Sequence, residues 1–249
     1  MHRTKRILVI VPARGGSKGL PGKNILPCCG KPLLAWTLEE VRKSGIATKI
    51  IVSTDSPEIA KVAEKYGVPT PVLRPRFLAS DTATTDEVVM YEISRLEDDG
   101  ETFDIVVKLQ PTSPLRQEQD IRGAMQNLFK KKAQAVVSVC AAETHPSWVN
   151  KLPPDLNMGS FIRPDILASN RQDLESYYRL NGAIYVSDVE HFKARRSFFS
   201  SATYAYIMPQ ERSVDIDTEV DFRLAEVILE SGGGLKGGAR AKSPSPFGR

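Results

Sequence analysis

Ile7–Val11 is an unbroken apolar run of strand length that gives way at once to Pro12-Ala13-Arg14-Gly15-Gly16. A strand buried on both faces reads as such a run. Behind Pro32, the residues Leu34, Thr37, Leu38 and Val41 recur at helical spacing. Lys49–Thr54 predicts a second strand, and Ile59, Val62, Ala63 and Tyr66 a second helix that stops at Gly67. Val89, Ile93 and Leu96 mark a third helix, Asp104–Leu109 a third strand, Ile121, Met125 and Leu128 a fourth helix, and Ala135–Val139 a fourth strand. Strands interleaved with helices of this length predict right-handed βαβ units and a mostly parallel sheet, an α/β fold.

The alternation breaks between Ala141 and Tyr178, where proline and asparagine recur without a helical period. Such a stretch predicts an excursion from the sheet, used for a lid or a subunit contact. Strands resume at Asn181–Val186 and Tyr204–Met208, and a closing helix carries Val220, Leu224, Val227 and Ile228 on one expected buried face. From Ser231 onward Gly, Ser, Pro and basic residues dominate. The expected organisation is therefore one domain over 1–231, with an excursion within 141–200, followed by a disordered basic tail over 232–249.

Charge sharpens that division. The net charge of +4 equals the four cations of the tail, Lys236, Arg240, Lys242 and Arg249, so the body is neutral. A neutral body argues against a nucleic-acid-binding face. No segment is apolar for long enough to span a bilayer. The three cysteines, Cys28, Cys29 and Cys140, are odd in number and lack metal-ligand spacing. With no signal peptide ahead of the first strand, they suit reduced thiols and predict a cytoplasmic protein.

The loop after the first run carries the chemistry. Gly15, Gly16, Gly19 and Gly22 are interleaved with Arg14, Lys18 and Lys23. Glycines let backbone N–H groups approach a ligand, the cations add positive charge, and open α/β sheets bind ligands where strands end. A polyphosphate is the expected guest. Neither common phosphate pattern fits: Asn24 stands where a P-loop has its hydroxyl residue, and adjacent glycines with Pro21 break the dinucleotide fingerprint.

A second motif, Ser213-Val214-Asp215-Ile216-Asp217-Thr218, sets two carboxylates two residues apart. On an extended backbone both face one way, as Mg²⁺ beside phosphates requires. The alternative is that Asp217 or Thr218 caps the next helix while Asp215 is solvated. A haloacid-dehalogenase-like Asp-x-Asp reading fails at Glu219. Two further segments are polar at strand ends: Leu109-Gln110-Pro111-Thr112-Ser113-Pro114-Leu115-Arg116, and Tyr178-Arg179-Leu180-Asn181-Gly182-Ala183-Ile184-Tyr185. Arg179 is a candidate bidentate clamp for a carboxylate.

In order, Pro12 through Asn24, Ile51-Val52-Ser53-Thr54-Asp55, Leu73-Arg74-Pro75, Ala79 through Ala83, Leu109 through Arg116, Arg179 through Tyr185 and Ser213 through Glu219 resemble the acylneuraminate cytidylyltransferases, the CMP-sialic acid synthetases. The resemblance spans about Ile7 to Leu229. It implies a Rossmann-like nucleotide-diphospho-sugar transferase fold and a reaction of CTP with a nine-carbon 2-keto sugar acid, releasing pyrophosphate. It further implies Arg14, Lys23 and Asp217 as the catalytic set, with Ala13, Arg14, Lys23, Asn24, Arg74 and Ser80 around the nucleotide. Gln110, Arg179 and Tyr185 would hold the sugar acid, and Asp215 with Asp217 would bind Mg²⁺. Family members are homodimers, so Phe198 and Phe199 are expected to complete the partner's sugar pocket, against the plainer reading of core residues. Leu180 departs from the proline frequent at that position, which bears on the placement of Arg179. A synthetase for the eight-carbon acid Kdo and a non-catalytic nucleotide-binding protein stand as alternatives.

Overall fold

The computed structural model describes residues 5–17, 19–167 and 175–232. Lys18 of the glycine loop and the tail from 233 onward lie outside the described residues.

The elements follow the apolar pattern. β1 (Ile7–Pro12) leads through a small antiparallel hairpin, β2 (Pro27–Cys28) and β3 (Lys31–Pro32), into α1 (Leu33–Ser44). Then come β4 (Lys49–Ser53), α2 (Pro57–Lys65), α3 (Thr85–Asp98), β5 (Ile105–Leu109), α4 (Glu118–Lys130) and β6 (Ala135–Ala141). The short α5 (Pro164–Leu167) lies in the excursion, before β7 (Tyr178–Asp188), α6 (Val189–Arg195), β8 (Thr203–Ile207) and α7 (Glu219–Glu230).

Six strands form one sheet in the order β4-β1-β5-β7-β6-β8. Pairing is parallel between β1 and β4, β1 and β5, and β6 and β8. β7 alone runs the other way, antiparallel to both β5 and β6. The cause is local. The chain leaves β6 at Ala141 and returns at Tyr178, directly opposite in the ladder. A chain that returns to the end it left needs no crossover and must pair antiparallel. The excursion therefore ends where β7 begins, and 178–195 belong to the sheet layer as β7 and α6.

Both faces of the sheet are apolar because successive residues alternate sides. Val9, Val11, Val107 and Leu109 pack under α1, α2 and α4 with Leu34, Leu38, Ile59, Ile121 and Leu128. Leu8, Ile10 and Val106 pack the opposite way against Val89, Ile93 and Leu96 of α3 and Phe192 of α6. A third cluster joins Cys28 and Leu33 to Ile216, Phe222 and Ala225, seating α7 on the hairpin.

Here the expected face of the closing helix is corrected. α7 buries Phe222, Ala225 and Ile228, whereas Val220, Leu224 and Val227 are exposed. Both faces carry apolar residues, so spacing alone cannot choose between them, and the large Phe222 ring decides. Among the described residues no helix is long and apolar enough to cross a membrane.

Candidate active site

The parallel strands β1, β4 and β5 end on one side of the sheet, and the glycine loop, the 54–56 and 74–83 loops and the 110–116 turn gather there. They enclose a cavity of about 610 Å³ whose lining includes Arg14, Lys23, Asn24, Arg74, Ser80, Gln110 and Asp217.

The glycine loop is anchored at several points. The Gly15 N–H donates to Asp55 Oδ1 (3.0 Å), and Asn24 Nδ2 donates to the Arg14 carbonyl (3.0 Å). Gly19 packs so closely on the Asp217 backbone that a Cβ would overlap its carbonyl oxygen. Lys23 Nζ donates to the Ile216 carbonyl (2.7 Å) and to Asp217 Oδ1 (3.0 Å). The first and last functional segments of the chain therefore form one wall.

Arg14 donates from Nη1 to Asp81 Oδ1 at 3.1 Å. Arg74 is buried, its closest carboxylate is Asp55 at 3.9 Å, and its Nε has no partner. Burial pushes its guanidinium below the ordinary arginine range. A desolvated cation with an unmet donor lining a cavity is ready to receive a polar ligand. Ser80 Oγ donates to the Phe77 carbonyl (2.8 Å). Ala13 is fully buried in the core, so only its backbone can reach a ligand.

The second wall centres on Gly182, whose φ of +72° favours glycine. A Cβ there would lie 2.6 Å from Gln110 Oε1 and 2.9 Å from Asp215 Oδ2. Gln110, Gly182 and Asp215 thus converge on one point beside the cavity. Asp215 is held there by its neighbours: the Ile216 N–H donates to the Thr112 carbonyl (2.8 Å), and Asn181 Nδ2 donates to Ser213 Oγ (2.9 Å).

Asp215 is not solvated. Burial pushes its carboxyl up, the Asp217 charge adds to this, and Thr112, Lys23 and Arg179 oppose it. Its Oδ1 is buried without a partner. Nor does Asp217 cap α7. Thr218 does so, accepting from the Asp221 N–H in a reciprocal capping box. Asp217 is left 78% exposed.

The remaining sugar-side residues are divided. Arg179 lies within β7 rather than ahead of it, and its Nε and Nη2 donate to Glu143 at 2.8 and 2.7 Å. Tyr185 is partly buried, its ring 5.5 Å from that of Phe198 and 6.5 Å from that of Phe199. Phe199 is half-exposed, but Phe198 is fully buried against Phe192, with ring centroids 4.7 Å apart. The expectation that Phe198 reaches a partner's pocket is corrected accordingly. It fills this chain's own core beneath Tyr185.

Asp55, Asn181 and Thr112 are organising residues that the motif reading quoted without giving them a role. Arg116 is another. Buried among backbone oxygens, it donates from Nη1 to the Ala183 carbonyl (2.8 Å) and the Gln110 carbonyl (3.1 Å), tying the end of β5 to the middle of β7.

The sequence family described as cytidylyltransferase matches residues 8–223. The chain is 38% identical over 232 residues to a CMP-N,N'-diacetyllegionaminic acid synthase of Legionella pneumophila, covering 90% of this chain and 97% of that protein. It is 40% identical over 230 residues to an N-acylneuraminate cytidylyltransferase of Escherichia coli, covering 92% of this chain but 53% of that protein. The chain thus spans about half the length of that relative. A pseudaminic acid cytidylyltransferase of Campylobacter jejuni is 30% identical over 223 residues, covering 90% and 96% of the two chains. Among solved structures, a CMP:2-keto-3-deoxy-manno-octonic acid synthetase complexed with CTP superposes with a TM-score of 0.66 at 17% identity, over 91% of this chain and 99% of that one. At that identity the likeness concerns the fold.

Proposed function

The chain belongs to the cytidylyltransferase family, and from that premise we propose that it activates a nine-carbon 2-keto sugar acid with CTP. The observation that carries this reading is the junction of Lys23 with the Asp215–Asp217 segment at the mouth of a cavity lined by Arg14 and Arg74. Two relatives that match nearly end to end are named for legionaminic and pseudaminic acids, which are nonulosonic acids.

In the proposed reaction the anomeric 2-hydroxyl attacks the α-phosphorus of CTP in line. The new O–P bond forms as the α-phosphorus bond to the bridging oxygen breaks, the hydroxyl proton passes to solvent, and pyrophosphate leaves. Such a transfer needs positioning and charge neutralisation more than covalent help. Arg14 and Lys23 offset the triphosphate charge, while Asn24, Arg74, Ser80 and the Ala13 backbone surround the cytidine. Gln110 and Tyr185 hold the sugar, and Arg179 offers its fork to the sugar carboxylate in exchange for Glu143. Asp217 faces the attacking hydroxyl.

The buried, unpartnered Asp215 oxygen beside Asp217 fits a divalent cation, since Mg²⁺ takes one or two protein carboxylates and completes its shell with phosphate and water. Asp215 and Asp217 would hold it, and it would supply charge neutralisation at the phosphates. The exposed Val149, Leu152, Leu156 and Met158 of the excursion support a homodimer built through that segment, with Phe199 reaching the partner's site. The free cysteines support a cytoplasmic setting.

The test is pyrophosphate release by the purified chain with CTP and Mg²⁺ against N-acetylneuraminate, N,N'-diacetyllegionaminate, pseudaminate and Kdo. Turnover with at least one nine-carbon acid and none with Kdo is expected. Preference for Kdo, or no turnover with any acid, overturns the reading.

A further inference from the structure

Lys108 interrupts the apolar run of β5, and its side chain is only 4% exposed. An ammonium taken out of water must be paired, and packing alone would be served by an apolar residue of that length. Its partners come from α3 on one side and from Tyr185 of β7 and Phe198 on the other. Nζ donates to Asp86 Oδ1 (2.8 Å) and Thr85 Oγ1 (3.0 Å), both in the first turn of α3, and Thr85 lines the nucleotide cavity. The same ammonium lies 4.0 Å from the centroid of the Tyr185 ring and 4.8 Å from that of Phe198. Tyr185 is also the direct ladder partner of Lys108 across β5 and β7.

The ammonium is thus occupied by Asp86, Thr85 and an aromatic face, which leaves it no direct part in binding substrate. Its effect is on Tyr185. That ring has Lys108 on one side and the half-exposed Phe199 nearby, and burial first, then the charges of Asp215 and Asp86, push its phenol up.

We propose that Lys108 is a positioning residue for the sugar acid, fixing the Tyr185 ring and tying it to the start of α3. The proposal rests on the reading that Tyr185 faces the sugar acid. Cation–π contacts of desolvated ammonium groups correspond to about a thirty-fold change in an equilibrium. The effect should fall on one substrate only, because Tyr185 stands on the sugar side.

The experiment measures KM for CTP and for the sugar acid separately, using N,N'-diacetyllegionaminate or N-acetylneuraminate, whichever is turned over. Lys108→Met should raise the sugar-acid KM by up to about thirty-fold and leave the CTP KM within about two-fold, and Lys108→Arg should recover part of the loss. Tyr185→Leu should raise the same KM, and Lys108→Met/Tyr185→Leu should be no worse than the poorer single variant. Equal effects on both substrates, no effect, or full additivity in the double variant overturns the positioning role. A silent Tyr185→Leu overturns instead the placement of Tyr185 at the sugar. Should Lys108→Met not fold, Lys108→Gln, which removes the charge but can still hydrogen-bond Asp86 and Thr85, carries the same expectation and the same refuting outcomes.

Discussion

The Lys23 ammonium lies 3.0 Å from Asp217 Oδ1, across 194 positions of sequence, and donates to the neighbouring Ile216 carbonyl as well. A cation of the opening loop is thereby aimed by the backbone of the segment that carries both carboxylates. Its side chain is mostly buried, so little flexibility is left to it.

Lys23→Ala should fold normally and lose about 10²–10³ in turnover at saturating CTP, the usual effect of removing one charge-stabilising group. Its thermal midpoint should stay close to that of the parent chain, because Asp217 remains exposed to water when the cation is removed. Near-parental turnover would falsify the role.

Asp217 and Thr218 have separable functions. Asp217→Asn should shift the Mg²⁺ dependence to higher concentration with unchanged stability. Thr218→Ala removes the α7 cap and should cost about 1 kcal/mol of stability, with magnesium dependence retained. Magnesium titrations and urea melts of both variants check this. The reverse pattern would return the cap to Asp217.

Asp215 makes a prediction about stability and pH. Burial raises its carboxyl above the ordinary aspartate value, so the folded chain binds that proton more tightly than the unfolded chain. The favourable contribution is present at low pH and is lost as pH rises through the folded value, which means that ionised Asp215 works against the fold at neutral pH. Asp215→Asn should therefore raise Tm by about 2–4 °C, the shift that one kcal/mol produces in a domain of this size, while turnover falls. A lowered Tm in Asp215→Asn would show that the carboxylate is structural.

Gly182→Ala places a methyl group against Gln110 and Asp215 in a left-handed backbone. It should cost about 1–3 kcal/mol of stability and raise the sugar-acid KM with little change for CTP. Equal effects on both substrates would place Gly182 outside the sugar side.

What could be read from the sequence was whatever repeats or stays contiguous. The β1 run and the glycine loop lie within a few residues and declare their place by spacing, and the Asp215/Asp217 motif stands out in the same way, although its two carboxylates differ in burial. The roles of Asp55, Asn181 and Lys108 could not be read so, because each depends on partners brought together only by the sheet: Gly15, Ser213 and Tyr185 lie far from them in the chain. Phe198 and Phe199 are neighbours in sequence with opposite fates, and no local signal separates them. The buried face of α7 is hidden from spacing for a related reason, since only the packing of Phe222 on Cys28 and Leu33 selects which apolar stripe turns inward.

The reversed strand has a further consequence. β1, β4 and β5 bring their last residues to the cavity, whereas β7, running the other way, brings its first. Arg179 and Gly182 therefore arrive at the site directly from the excursion, before the chain enters the core, while the nucleotide side is built by segments that have already crossed the sheet. On the proposed reading, substitutions at Glu143, the excursion residue that holds Arg179, would act on the acid acceptor rather than on CTP. A lineage of such enzymes could thus change which sugar it serves while keeping one nucleotide, as if the two halves of the pocket were inherited separately.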